Sequence, residues 1–195
     1  IKIRILIHKT NQPEGRGIGP ILETREALRV LQQKPNRPLD LEIRSINLAG
    51  NLLEICLKDS PEILQTYVKK NYGNCFGWAT KILRNGLAFR KMQEIIHVQE
   101  GRQHIDSEDL KPGKFYYKIT ASKNGVVKSI GSKNLTIIAK ILGAPKQKGA
   151  GIVLDRKIGE TAQKGQTLYT LFSENLYTLK EAKESLLHFP ILDFV

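Results

Sequence analysis

The chain has 195 residues and a mass of 22.0 kDa, enough for one or two domains with a buried core. Apolar residues make up 41% of it, which argues against a disordered protein. The net charge of +12 favours anionic partners, but the basic residues are spread out, 17 in residues 1–104 and 14 in residues 105–195. No motif typical of RNA binding or zinc fingers accompanies them, so we expect no nucleic acid among the partners.

The chain begins with Ile1, and its one methionine is Met92. No signal or transit sequence explains a start without methionine. The sequence therefore predicts a piece of a longer protein.

The two cysteines and the apolar runs bear on location. Cys56 and Cys75 lie in apolar helical patterns, and we expect both to be buried free thiols, which suits a cytoplasmic protein. No apolar run approaches the roughly 20 residues that cross a bilayer, so we expect no membrane partner.

Residues 1–104 are predicted to form one strand followed by about five helices. The stretch "IKIRILI" (1–7) alternates with a period of two and is rich in isoleucine, which predicts a strand. A glycine-rich loop follows, and Pro20 begins the first helix. Helical spacing then predicts further helices over residues 41–56, 61–70, 75–85 and 87–99. Since one strand cannot form a sheet, its neighbours are expected outside this sequence.

Residues 105–195 are predicted to be an α+β domain. Residues 111–131 predict a β-hairpin that turns at Asn124-Gly125. A helix over 132–145, two strands within 151–174, a helix over 178–189 and a closing edge strand follow. We place the domain boundary between residues 104 and 105.

The glycine-rich loop allows three interpretations. Gly15, Gly17 and Gly19 do not have the spacing of the known phosphate-binding loops, so a phosphate cradle is a weak hypothesis. The simplest alternative is a tight strand-to-helix turn that needs glycine. The third is a cation site, because loop carbonyls and a helical carboxylate can surround a hard cation. Glu14, Gly17 and Glu26 would supply the ligands.

Other reactive side chains give no catalytic pattern. The four histidines are His8, His97, His104 and His188. None has metal-ligand spacing or a nucleophile beside it, so we expect them on the surface. Lys123 precedes the predicted hairpin turn, where carrier domains hold a modified lysine, but the neighbouring residues do not match such a motif. Residue chemistry alone thus predicts no self-sufficient active site.

Four segments, in order, resemble the thymidine and pyrimidine-nucleoside phosphorylases. They are "QPEGRGIGPILETREALRVL" (12–31), "RSINLAGNLLE" (44–54), "LRNGLAFRKMQEIIHVQEG" (83–101) and residues 135–174. The "GRGIGP" form is typical of the branch that also contains the archaeal AMP phosphorylases. Because these segments cover most of the chain in the family's order, the chain is identified as a C-terminal part of a family member.

The resemblance implies a homodimeric pentosyltransferase of nucleoside salvage. Such an enzyme cleaves a nucleoside with inorganic phosphate to a free base and a pentose 1-phosphate; AMP is the alternative substrate. It implies an α/β fold for residues 1–104, as the last strand and helices of a phosphorylase domain. It implies a hammerhead or barrel-sandwich-like α+β domain for residues 105–195. The family's phosphate- and base-binding motifs would precede Ile1, so no catalytic or substrate-binding residue is expected here, and the isolated chain is expected to be inactive.

The resemblance also bears on the cation hypothesis. In some pyrimidine-nucleoside phosphorylases, carbonyls just after Gln-Pro and a glutamate of the next helix bind potassium, at positions that match Glu14, Gly17 and Glu26. Potassium would be the only cofactor, with no organic one. There is one departure: Lys9 stands where the family has aspartate, and an ammonium group there would replace or repel the ion.

Two hypotheses of other classes stay open at this point. One is a non-catalytic binding or carrier module that uses Lys123. The other is an RNA- or anion-binding domain that uses the positive charge.

Overall fold

A computed structural model gives the structure of the protein and describes residues 3–102 and 104–195. Within these residues the helices are α1 (Pro20–Leu31), α2 (Leu39–Leu57), α3 (Glu62–Tyr72), α4 (Cys75–Arg84), α5 (Leu87–Val98), α6 (Ser132–Leu142) and α7 (Leu176–Ser185). The strands are β1 (Gly17–Ile18), β2 (Phe115–Thr120), β3 (Gly125–Ile130), β4 (Gly151–Leu154), β5 (Thr161–Ala162), β6 (Thr167–Ser173) and β7 (Leu192–Phe194).

The chain packs into two units. The first contains the described residues up to Lys9 together with Ala27–Asp106, and the second contains Thr10–Glu26 together with Ser107–Val195. The glycine loop thus packs with the C-terminal residues. These units describe packing, and the domain boundary between residues 104 and 105 stays a prediction.

The first unit is helical. Helix α2 packs on α4, and α4 also contacts α3 and α5. Gly50 allows α2 to approach α4 closely, because a Cβ at this position would lie only 2.8 Å from Cε1 of Phe76 on α4. The buried side chains include Val68, Cys75 and Leu83. The five helices predicted up to residue 99 are confirmed, with ends that differ by a few residues.

The strand predicted over residues 1–7 is not present in the described part of that segment. Residues 3–7 have no strand structure, and Ile3, Ile5 and Ile7 are exposed. Arg4 contacts α2 by donating to Asn51 and Glu54. A strand requires a neighbouring strand for its backbone hydrogen bonds, and no described strand pairs with this segment. Residues 1 and 2 of the prediction lie outside the described residues.

The second unit holds two open antiparallel sheets. One has the strand order β1-β4-β6-β2, and the other has the order β5-β3-β7. In the first sheet Leu154 lies opposite Tyr169, and Ile152 opposite Leu171. Helices α6 and α7 cover these side chains, with Ile138 fully buried among them. The mixed α/β fold is confirmed at this level, and so is the closing edge strand, β7.

The predicted hairpin over residues 111–131 is wrong. Strands β2 and β3 belong to different sheets, β2 paired with β6 and β3 with β5 and β7. The chain between them bonds to other segments instead: Ala121 exchanges backbone hydrogen bonds with residues 165–166, and the Asn124 side chain accepts one from the Lys164 amide. Distant partners therefore override the local turn signal.

The structure also bears on the expectation that the chain has no membrane partner. Within the described residues, no helix combines the length and apolar composition that crossing a membrane requires.

Candidate functional site

The glycine loop, defined here as residues 12–19, is a tight turn that ends in β1 and leads into α1. Gly15 and Gly19 have φ angles of +74° and +119°, a region that favours glycine. A Cβ on Gly19 would also stand 3.0 Å from Cα of Gly151. The loop passes so close to β4 that no larger residue fits at this position. The interpretation as a tight turn that needs glycine is therefore confirmed, but the strand predicted to precede this turn is not present in residues 3–7.

Two carboxylates of α1 accept hydrogen bonds from backbone amides of the loop. The Glu26 carboxylate accepts from the Arg16 amide, at 2.9 and 3.1 Å, and from the Gly17 amide at 3.0 Å. Glu23 Oε1 accepts from the Gly19 amide at 2.9 Å. Glu26 is only 8% exposed, so these hydrogen bonds keep a buried charge satisfied. These three amides donate to the protein's own carboxylates and are therefore not available to a phosphate, which argues against the phosphate-cradle hypothesis.

A second set of contacts joins the loop to residues 154–160. The Ile158 amide donates to Oε1 of Gln12 at 2.9 Å, and Nζ of Lys157 donates to the Pro13 carbonyl at 2.7 Å. Arg16 forms an ion pair with Glu160 and donates to the carbonyls of residues 154 and 155. The glycine loop is thus held by side chains from both segments.

Opposite charges lie together where the glycine loop contacts residues 154–160. The hydrogen bond from Arg16 is the main cause that lowers the pKa of Glu160, helped by the Lys157 amide and opposed by partial burial. Lys157 itself is only 8% exposed, which is rare for a lysine without partners.

The three residues predicted as a cation site lie on this loop and on α1. Glu26 faces loop amides, Gly17 pairs with Val153 in the first sheet, and Glu14 lies at the turn before Gly15. The described residues contain no group of three or more histidine, cysteine or acidic side chains that could hold a metal. The potassium site stays a prediction.

The sequence interpretation did not identify the partners from residues 154–160. Lys157 and Glu160 each stand 144 positions after the loop residue that they contact, Pro13 and Arg16, a separation that no sequence periodicity connects. The run "DRKIGE" (155–160), which places four charged residues around a glycine, was the available signal.

The remaining candidate residues are placed as follows. All four histidines are exposed, as predicted. Cys75 is buried, and burial raises the pKa of its thiol, but Cys56 is exposed, which corrects the expectation that both are buried. Lys123 is exposed, yet it lies in a crossing between two sheets and not at a hairpin tip, so the carrier hypothesis loses its structural basis.

An apolar groove of about 490 Å³ lies in the first unit, between α1, α2, α4 and α5. Its lining is aliphatic except for Ser45. Nucleoside sites need several polar groups to orient the ligand. The groove therefore does not have the composition of a nucleoside site.

Comparison with known proteins gives one family. Residues 126–188 match the model of the pyrimidine nucleoside phosphorylase C-terminal domain. The chain is 39% identical over 180 residues to a "Putative thymidine phosphorylase" of Legionella pneumophila, covering 92% of the chain and 32% of that protein. A protein of the same name from Methylococcus capsulatus is 38% identical, with 89% and 31% covered. An "AMP phosphorylase" of Methanococcoides burtonii is 37% identical, with 89% and 32% covered. The chain thus spans about a third of the length of these relatives.

Proposed function

We propose that this chain, which matches the C-terminal region of the thymidine and pyrimidine-nucleoside phosphorylases, works as part of an enzyme that transfers a pentosyl group to inorganic phosphate. The resemblance of the four segments predicted this relationship, and the comparisons confirm it. The observation that carries the proposal is similarity along 92% of the chain to a protein named "Putative thymidine phosphorylase".

The proposed reaction is phosphorolysis of a nucleoside. A phosphate oxygen bonds to the anomeric carbon while the bond from that carbon to the base nitrogen breaks, and a proton goes to the departing base. The transition state resembles an oxocarbenium ion, and fixed donors that hold the attacking phosphate, together with protonation of the departing base, supply most of the acceleration.

We place these donors in the part of the family's sequence that this chain does not match. The backbone amides of Arg16, Gly17 and Gly19 already donate hydrogen bonds to carboxylates of this chain. The apolar groove offers one hydroxyl group. On this proposal the 195-residue chain has no phosphorolytic activity by itself.

The substrate is proposed as thymidine or another pyrimidine nucleoside, with AMP as the alternative. Relatives named "Putative thymidine phosphorylase" support the first, and those named "AMP phosphorylase" from Methanococcoides burtonii and Archaeoglobus fulgidus support the second.

Four further statements about the complete enzyme belong to the proposal, and they rest on the resemblance, the spread of basic residues and the two free cysteines. We propose that it is a homodimer, that it acts in the cytoplasm in nucleoside salvage, that it binds no nucleic acid, and that its C-terminal domain is of the hammerhead or barrel-sandwich type.

A chimera tests the function. This chain replaces the matching third of the Legionella pneumophila protein, and phosphorolysis of thymidine, uridine, cytidine and AMP is measured by release of the free base. We expect turnover from the chimera and none from the 195-residue chain, and the preferred substrate identifies the branch. The unmodified Legionella protein and the same protein without its matching third are the controls.

Either of two results would contradict the proposal. Turnover by the 195-residue chain would show that it holds the catalytic groups. A chimera that folds but is inactive, beside an active Legionella protein, would show that this chain does not support phosphorolysis.

A further inference from the structure

Two oppositely charged side chains close the glycine loop from outside it. Glu26 accepts hydrogen bonds from loop amides, and Lys157 donates one to a loop carbonyl. We propose that Glu26 and Lys157, called here the charge lock, hold the loop in the place of a bound monovalent cation, so that the order of the loop does not depend on potassium. The proposal concerns the folded loop and stands or falls independently of the proposed reaction.

The surroundings of Glu26 suit an anion among amides and do not suit a cation ligand. Both carboxylate oxygens accept from the Arg16 amide, and Oε2 also accepts from the Gly17 amide. A carboxylate offers about four acceptor positions, and these hydrogen bonds take three of them. Amide hydrogens carry positive partial charge, which opposes a metal ion at the same oxygens. A Cβ on Gly15 would overlap Oε2, so glycine at this position leaves room for the carboxylate beside the loop amides.

Lys157 supplies the positive charge. Its ammonium group lies 2.7 Å from the Pro13 carbonyl, and the residue is only 8% exposed. An ammonium tethered by its own side chain brings one positive charge to a backbone oxygen, as a bound monovalent ion would. Because the lysine is part of the fold, it needs no ion from solution and loses no translational freedom on binding.

Contacts of the residues beside Lys157 hold its ammonium group in position against the loop. The Ile158 amide, next to Lys157 in sequence, donates to the Gln12 side chain, and the Lys157 amide donates to Glu160. Glu160 in turn pairs with Arg16. The lysine is therefore anchored on both sides to the loop that it closes.

The first test compares thermal unfolding in potassium chloride and in choline chloride at matched ionic strength. We expect the same Tm for the wild-type chain in both salts. Lys157→Met keeps the length of the side chain but leaves the Pro13 carbonyl without its ammonium, and should lower Tm by roughly 5 °C. The control is Lys164→Met, because Lys164 is exposed, and its Tm should equal that of the wild type.

The second test measures the protection of the loop amides directly. Hydrogen exchange of the Arg16 and Gly17 amides is followed in the wild-type chain and in Glu26→Gln, whose side chain keeps one acceptor oxygen but loses the charge. We expect exchange at these two amides to be at least about 10-fold faster in the variant, with potassium unable to slow it. This measurement also decides the matter if Lys157→Met does not fold.

Three results would overturn the charge lock. The first is a saturable rise of wild-type Tm with potassium that choline does not reproduce and that Glu26→Gln abolishes. The second is a Tm of Lys157→Met equal to that of Lys164→Met. The third is unchanged exchange of the two amides in Glu26→Gln.

Discussion

Arg16 connects two segments that are far apart in sequence. Its guanidinium pairs with Glu160 and donates to the carbonyls of residues 154 and 155. Both side chains of the ion pair are 38% exposed, so solvent screens the interaction and its contribution to stability is about 0.2–1 kcal/mol. The lowered pKa of Glu160 makes this contribution dependent on pH.

The pH dependence follows from proton binding. In the folded chain the pKa of Glu160 lies below its ordinary value of 4.5, so the unfolded chain binds more protons as the solution is acidified. The stabilisation is fully present above pH 4.5 and is lost as pH falls through the lowered pKa. We expect Arg16→Met to unfold at lower temperature than the wild type near neutral pH, and the difference to shrink below pH 4.5. Thermal unfolding across this range measures it, with Lys164→Met as the control. A difference that stays constant down to acidic pH would contradict the prediction.

A substitution at Gly19 tests how closely the loop approaches β4. Its φ of +119° is strained for any other residue, and a Cβ would overlap the Ala150 carbonyl. We expect Gly19→Ala to lower the free energy of unfolding by about 3 kcal/mol, the sum of backbone strain and overlap. Gly159→Ala is the matched control, since Gly159 has φ of +85° and open space around its Cβ position. It should lose only about 1 kcal/mol. Urea unfolding compares the two, and equal losses would show that the close approach contributes nothing.

At the scale of elements, the helices agree with their sequence patterns, whereas the pairing of the strands does not follow from theirs. A helix makes its backbone hydrogen bonds within itself, so helical spacing predicted α1 to α5 within a few residues. A strand depends on a neighbour that the local sequence does not name. For this reason "KITASKNGVVKS" (118–129) contains a turn but no hairpin, and residues 3–7 have the pattern of a strand without the structure.

The packing of α2 on α4 gives a prediction at this scale. Alanine at position 50 would gain up to about 1 kcal/mol of helix propensity, but its Cβ would stand 2.8 Å from Cε1 and Cγ of Phe76. Overpacking of this kind costs about 1–3 kcal/mol, so we expect Gly50→Ala to be destabilising overall. Adding Phe76→Leu should recover part of the loss, because the smaller side chain makes room. Urea unfolding of the single and double variants measures this; a more stable Gly50→Ala chain would show that the helices separate freely.

At the scale of the whole molecule, the second unit has a continuous buried core, whereas the first unit exposes apolar surface. The core under α6 and α7 is continuous, with Leu142, Ile152 and Leu171 fully buried. The first unit instead leaves an apolar groove open and the isoleucines of residues 3–7 exposed. The chain matches about a third of each relative's length. The chimera described above therefore tests the function in the setting in which we propose that the chain works.

The sequence by itself determined the helices, the mixed α/β class and the family. These depend on local periodicity and on ordered motifs, and both can be read along one chain. It also singled out the glycine loop and Glu26, because glycine spacing and a carboxylate within the first two turns of a helix are local features.

Only the tertiary structure decided which strands pair and what the loop binds. Pairing of β2 with β6, and the donation from Lys157 to Pro13, join residues that are tens to more than a hundred positions apart. Such contacts form because burial must satisfy every backbone amide, carbonyl and charge at once, a condition set by the complete fold. The sequence named Glu26 as a candidate ligand, and the folded chain surrounds its carboxylate with amides, because the loop turns its N–H groups toward α1.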